Sequence, residues 1–334
     1  MADIRYLITG GAGFIGSHLA DALIARGDGV SILDNISTGS HRNVEHLRDH
    51  PAFSFREGSI LDTELVQESV ASCDVVVHLA ASVGVHLIIE RPLESLINNI
   101  LGTQTVLEAC ADHVRKVLIT STSEIYGKNV GILHEDSDRI LGSPFKSRWS
   151  YSTSKAVDEI LAYNYWRARN LPSIVVRLFN CVGPRQTGAY GMVVPRLVRQ
   201  ALEGRALTVY GDGTQRRSFC HVLDAVDALL RLLDHPGSIG DVFNVGAPQE
   251  VTINQLAELI IEMTGTSSRV RRTPYDVVYE EGFEDMERRF PDIGKIRELT
   301  AWRPVRSIQD ILKDVITFEL SGRPELARRV TVSH

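Results

Sequence analysis

Tyr151 and Lys155 stand four residues apart in the run Tyr-Ser-Thr-Ser-Lys, so on a helix they share one face. A nearby ammonium favours the phenolate and lowers a tyrosine pKa, and such a tyrosine can take a proton from an alcohol. A second run, Ser121-Thr122-Ser123-Glu124-Ile125-Tyr126-Gly127, offers a hydroxyl at Thr122 and a carboxylate at Glu124. The Tyr–Lys spacing alone is a common accident, and an exposed pair would show it equally well.

The N-terminal segment supplies the context. Thr9-Gly10-Gly11-Ala12-Gly13-Phe14-Ile15-Gly16 falls between an apolar strand and a helical pattern, with Gly10, Gly13 and Gly16 spaced G-x-x-G-x-x-G. Glycines there permit a tight turn and close approach of backbone to a pyrophosphate, and the helix start offers unpaired N–H groups and a favourable dipole. Asp34 ends the next strand, eighteen residues after Gly16. A carboxylate at that point accepts hydrogen bonds from ribose hydroxyls and repels a 2′-phosphate, which favours NAD over NADP.

The elements that must hold these groups alternate. Strands are expected at Ile4–Thr9, Val30–Asp34, Phe53–Glu57, Asp74–Leu79, Lys116–Thr120 and Ser173–Leu178, with helices at Phe14–Arg26, Leu93–Cys110 and Tyr151–Asn170. Strand–helix alternation implies an α/β fold with a doubly wound parallel sheet. After about residue 180 the pattern loosens into Gly- and Pro-containing segments. A strand at Asp241–Val245 returns to the large sheet, and a smaller lobe that reads as helical follows from Thr252 to about Thr317. The expected division is residues 1–179 and 221–249 for the dinucleotide half, and 180–220 and 250–330 for an interleaved α/β substrate lobe.

Composition narrows the classes. Of 334 residues, 43% are hydrophobic and 23% charged, ordinary for a globular chain. Lys+Arg is 36 against Asp+Glu 42, a net charge of −6 that gives no nucleic-acid footprint. No apolar run approaches the roughly 20 residues that span a bilayer. The start, broken by Asp3 and Arg5, lacks the pattern of a signal peptide. A cytoplasmic protein with no membrane partner is the expectation. Cys73, Cys110, Cys181 and Cys220 are far apart with no metal-ligand spacing, so they read as reduced, buried thiols and no metal is expected.

Together these motifs resemble the extended short-chain dehydrogenases/reductases of the nucleotide-sugar epimerase, dehydratase and decarboxylase group. The resemblance spans residues 3–318. It is carried by GGAGFIG, the Leu-Asp-Asn ending at Asn35, HLAA (His78–Ala81), Asn98-Asn99, STSEIYG, YSTSK, RLFNCVGPRQ (Arg177–Gln186) and GDGTQRRSF (Gly211–Phe219). It implies NAD as cofactor, with Asp34 and Asn35 on the adenosine ribose and Asp62 at the adenine. It further implies that Leu79, Ala80 and Ala81 line the cofactor channel, that Asn99 supports the site, and that Lys155 holds the nicotinamide ribose. Asn180 and Arg217 would meet the diphosphate of a nucleoside-diphosphate sugar, with UDP the expected nucleotide, and planar Arg suits phosphate oxygens. A homodimer through Leu93–Cys110 and Tyr151–Arg169 is also implied. Ser59 departs from the family's usual Gly-Asp and receives no role.

Members of this group oxidise C4 of the sugar, with Thr122 on the hydroxyl and Tyr151 taking its proton. The residues nearby decide the fate of the ketone. A 4-epimerase needs no acid or base at C5 or C6, and this chain has Glu124. A 4,6-dehydratase places Asp before that Glu, and this chain has Ser123. The order Thr-Ser-Glu resembles that of uronate decarboxylases, whose 4-ketone is β to the C6 carboxylate and so loses CO₂ readily. Glu281–Asp292 and Arg148-Trp149-Ser150-Tyr151 resemble the UDP-apiose/UDP-xylose synthases and the decarboxylase of the aminoarabinose lipid-modification pathway. In that loop Arg289 matches an arginine acting near the carboxylate, positive charge that would remain beside the enolate. A solvated cluster of Glu287, Arg288 and Arg289 is the competing reading. Decarboxylation of UDP-glucuronate or a similar uronate is the favoured expectation and UDP-sugar 4-epimerisation the alternative. A dehydratase or a non-catalytic NAD-binding regulator ranks lower. His86 and Tyr190 are further candidates to reach the cleft, Tyr190 with Met192 as parts of a nucleotide pocket, and His78 reads as a core residue.

Overall fold

In the computed structural model, which describes residues 4–83, 90–113, 116–146, 148–188, 192–274, 277, 286 and 288–323, alternating elements build the first half of the chain. They run β1 (Arg5–Thr9), α1 (Phe14–Arg26), β2 (Gly29–Asp34), β3 (Phe53–Glu57), α2 (Thr63–Ala71), β4 (Val75–His78), α3 (Pro92–His113), β5 (Lys116–Thr122), β6 (Ile132–Leu133), α4 (Arg148–Arg169) and β7 (Ser173–Leu178). The second half continues with β8 (Cys181–Val182), α5 (Val193–Leu202), β9 (Leu207–Tyr210), β10 (Arg216–Ser218), β11 (Cys220–His221), α6 (Val222–Asp234) and β12 (Asp241–Val245). It ends with β13 (Glu250–Thr252), α7 (Ile253–Thr264), β14 (Val270–Thr273), β15 (Arg288–Pro291), α8 (Gly294–Thr300) and α9 (Ile308–Ser321). None of the helices among the described residues is long and apolar enough to cross a membrane.

The large sheet has seven strands in the order β12-β7-β5-β4-β1-β2-β3, every neighbour parallel. A strand buried on both faces sends successive side chains to opposite layers. Tyr6 and Ile8 accordingly join one core with α1 and α6, while Leu7 joins the other with α2, α3 and α4. The doubly wound sheet is therefore as expected. The chain runs outward from β1 to β3 and then crosses to β4 on the other side of β1. That reversal opens a crevice at the carboxyl ends of β1 and β4, where ligands bind in such sheets.

Three differences from the sequence reading matter. Helix α4 starts at Arg148 rather than at Tyr151. Trp149, 2% exposed, anchors the extra turn, and Tyr151 therefore sits inside the helix where its backbone is rigid. The second lobe is not simply helical: β13-β10-β15-β6 form a four-stranded sheet beside α5, α7 and α9, whose apolar faces make a separate core. Its edge strand β6 comes from the first half of the chain. Conversely, Ile293, Ile296 and Trp302 leave the lobe and pack into the core beside α6, with Trp302 Nε1 donating to the Asp224 carbonyl at 3.0 Å. The two lobes thus interleave more than the expected boundaries.

Candidate active site

The glycine loop closes tightly on β4. Gly10 has φ +71°, and a Cβ there would lie 2.7 Å from the Ala80 amide nitrogen. A Cβ on Gly16 would lie 2.5 Å from the Gly10 carbonyl oxygen. Both positions therefore require glycine to bring backbone, α1 and the β4 turn together. Gly13 caps α1 with no side-chain acceptor, which leaves the helix start and its dipole for an anion.

Asp34, buried at the end of β2, accepts the Ala12 N–H at 2.9 Å on Oδ2 and the Ile36 N–H at 2.8 Å on Oδ1. Burial raises its pKa, and the two backbone donors oppose that rise. Ile36 holds φ +56°, a strained conformation for a β-branched residue. The hydrogen bond to Asp34 helps offset that strain, and the two backbone donors fix the carboxylate at the cavity wall. Loop, helix start and fixed acid together fit a dinucleotide pyrophosphate and ribose.

These groups open into one cavity of about 460 Å³. Gly10, Gly13, Phe14, Ile15, Gly16, Asp34, Asn35, Leu79, Ala80 and Ala81 line one end. Thr122, Ser123, Glu124, Tyr151 and Lys155 line its middle, and Asn180, Arg217 and Arg289 the far part. Of the residues singled out from the sequence, Asp62 and Asn99 do not line it. Asp62 caps α2, its Oδ1 accepting the Leu65 N–H at 3.1 Å. Asn99 is 1% exposed and braces the site from behind: its amide group holds Ser154 on α4 at 3.2 Å and accepts the Ser82 N–H at 2.7 Å. His78 is a core group, its ring bridging Thr9 and Thr103 hydroxyls at 2.7 and 3.1 Å. His86, Tyr190, Glu287 and the segment 281–285 lie outside the described residues; Met192 lines the cavity.

Thr122 ends β5, and its hydroxyl accepts the Glu124 N–H at 3.2 Å and hydrogen-bonds Tyr151. The expectation of a lowered tyrosine pKa is corrected. Burial raises it most, the Glu124 and Asp158 carboxylates raise it further, and Thr122 and Arg289 oppose them. Lys155, the expected source of a lowered value, instead pairs within α4, its Nζ 2.7 Å from Asp158 Oδ2.

The far part of the site is set by a pairing between distant segments. β10 and β15 run parallel with Arg217 opposite Arg289, and both side chains reach the cavity. Arg289 Nη1 lies 3.3 Å from Glu124 Oε1, with side chains 10% and 14% exposed. Arg288, one residue earlier, points the other way to Glu250 at 2.8 Å. Strand alternation therefore separates the two arginines, and a solvated cluster does not describe Arg289. Asn180 holds φ +33°, and its amide donates to the Ser218 carbonyl at 2.8 Å, which ties it to the same strand as Arg217. Two further features escaped sequence reading. Arg196 stacks over Tyr210 at 4.2 Å on the cavity wall, a flat cationic–aromatic surface. Asp158 was the other, although its seven-residue spacing from Tyr151 is a helical-face signal.

A model of the NAD dependent epimerase/dehydratase family matches residues 6–246. The chain is 41% identical over 314 residues to the UDP-N-acetyl-alpha-D-glucosaminuronate decarboxylase of Bacillus cytotoxicus, covering 93% of this chain and 96% of that one. It is 35% identical to the UDP-glucuronic acid decarboxylase 1 of Xenopus tropicalis, covering 94% and 72%. Among solved structures, the UDP-glucuronic acid 4-epimerase of Bacillus cereus, in complex with UDP-glucuronic acid and NAD, superposes with TM-score 0.86 at 30% identity, covering 94% and 98%.

Proposed function

We propose that this chain, which belongs to the NAD dependent epimerase/dehydratase family, is an enzyme that decarboxylates a UDP-linked uronate through a 4-ketone. The observation that carries the reading is the buried Glu124–Arg289 pair, 3.3 Å apart beside Thr122 and Tyr151. A 4-epimerase acting on a uronate can use the guanidinium to bind the C6 carboxylate, but it has no chemical step at C5 or C6 that needs the pair. A uronate decarboxylase has two.

NAD, when bound, accepts hydride from C4 and can return it. Gly10, Gly13 and Gly16 with the start of α1 would hold its pyrophosphate, Asp34 and Asn35 its adenosine ribose, and Lys155 its nicotinamide ribose. Thr122 orients the C4 hydroxyl while Tyr151 takes the proton. Asn180 and Arg217 bind the diphosphate, and the Arg196–Tyr210 surface offers a face for the base. Arg289 pairs with the C6 carboxylate of the 4-keto acid. The C5–C6 bond then breaks, CO₂ leaves, and the electron pair enters the enolate, where Arg289 offsets the negative charge. Protonation at C5 restores the ketone.

The test is a product assay on UDP-glucuronate, UDP-N-acetylglucosaminuronate and UDP-glucose. CO₂ with a UDP-pentose, or its N-acetyl counterpart, is the expected result from a uronate. A product of unchanged mass, formed from UDP-glucose or a uronate without CO₂, would show epimerisation and sink the proposal.

We also propose a homodimer through α3 and α4, packed side by side. Leu93, Ile97 and Leu101 recur at every fourth position on the outer face of α3, and Ile160 and Tyr163 are exposed on α4. Such an apolar stripe on two adjacent helices suits a two-fold partner of the same kind. Ile97→Glu with Leu101→Glu is expected to yield monomers in sedimentation velocity. An unchanged species would place the interface elsewhere.

A further inference from the structure

One stripe of α4 carries Tyr151, Lys155 and Asp158 at positions i, i+4 and i+7. The Lys155 and Asp158 side chains are 4% and 0% exposed and meet at 2.7 Å. Burying two charges carries a desolvation cost that their attraction does not reliably recover, so such a pair is weak evidence for stability alone. It is stronger evidence here for a site, because Lys155 lines the cavity and keeps two more N–H donors for a ligand. The surrounding charges are accounted for. Glu124 and Arg289 face each other at the cavity wall, and Glu159 on α4 is bound bidentately to Arg177. His78 on β4 is held neutral, pushed down to about 3 by burial and by the Lys155 charge. Asp158 is thus the carboxylate bonded to Lys155.

We propose that Asp158 is a positioning residue for the cofactor: it fixes the Lys155 ammonium one turn beyond Tyr151 and cancels its charge, so that the cavity accepts the cationic, oxidised nicotinamide. The inference rests on the reading that Lys155 faces the nicotinamide half of NAD, and not on which sugar is turned over. The oxidised ring carries a positive charge and the reduced ring none. Without Asp158, Lys155 would place a second buried positive charge against the oxidised form alone. The Asp158 carboxylate also adds to the rise of the Tyr151 pKa, after burial and Glu124.

The full-length chain is titrated with NAD and, separately, with NADH. Asp158→Asn is expected to weaken NAD by roughly tenfold relative to NADH, the scale of one uncompensated charge near a cavity wall. The double variant Lys155→Met/Asp158→Asn removes both charges and is expected to bring the ratio back to within about twofold of the unaltered chain. In turnover, the acid limb of C4 oxidation should move to lower pH in Asp158→Asn, because a carboxylate that favours protonated Tyr151 is gone. An Asp158→Asn ratio equal to that of the unaltered chain overturns the proposal, and so does a double variant that still disfavours NAD. If Asp158→Asn does not fold, Asp158→Ser, smaller and equally uncharged, takes its place and is judged by the same ratio. A chain that binds both nicotinamides as expected yet releases no CO₂ from any uronate leaves this inference standing and defeats the reaction proposed above.

Discussion

Tyr151→Phe is expected to lower turnover by about 10³-fold, within the 10²–10⁴ range of a positioned acid–base group, while NAD affinity changes little. The substitution keeps the ring that fills the site and removes the atom that moves the proton. It leaves one hydrogen bond of Thr122 unmade, at a cost of about 1 kcal/mol, so the variant should remain folded. The pH dependence identifies the role. C4 oxidation needs a base, and a phenol whose pKa is raised by burial, Glu124 and Asp158 is protonated at neutral pH. Oxidation in the unaltered enzyme should therefore accelerate as pH rises, with deprotonation of Tyr151 as the limiting fraction. Reduction of the ketone needs the phenol as acid, which that same raised pKa preserves across the neutral range. Stopped-flow measurement of NADH formation against pH checks this. An oxidation rate that keeps its size and its alkaline rise in Tyr151→Phe would remove Tyr151 from the chemistry.

How far such a site can be read from sequence depends on whether its cause is local. Gly10 and Gly16 are legible because their reason is backbone geometry within one turn, although the collision that forbids a Cβ at Gly10 is with distant Ala80. Tyr151 and Lys155 are legible as a helical pair. Asp158 lies on the same stripe, but its meaning depends on burial, and an exposed acid at that spacing would be a surface ion pair. Asp62 shows the opposite difficulty. An aspartate before Thr-Glu-Leu signals a helix cap as well as a ligand group, and in the fold it caps α2. The neighbouring positions of Arg217 and Arg289 rest on the β10–β15 pairing, which joins residues far apart in the chain and leaves no periodic trace. The same holds for β6, a two-residue strand that no pattern of alternation could announce.

Glu124→Gln is expected to separate the two halves of the reaction. Glutamine keeps the size of the side chain and an oxygen that can still meet Arg289, now 3.3 Å from the carboxylate. It removes the negative charge and, with it, the capacity to take up and hand on a proton. C4 oxidation should persist to within about tenfold, since Thr122 and Tyr151 are intact. Its acid limb should move to lower pH, because Glu124 is the larger of the two carboxylate contributions that raise Tyr151. Decarboxylation should fall by about 10²-fold or more, the range of a lost general acid–base group. The carbanion centre left at C5 needs a proton, and Glu124 is the carboxylate placed against the guanidinium that holds the leaving group, where it can take a proton from solvent and pass it to C5. Arg289 alone stabilises the enolate without delivering that proton, because a guanidinium does not give one up at neutral pH. A single-turnover experiment should then show NADH forming on time while labelled CO₂ lags behind it, where the unaltered chain is expected to form the two together. Equal loss of both signals would make Glu124 a structural support for the whole site. Undiminished CO₂ release would place the C5 acid elsewhere in the cavity.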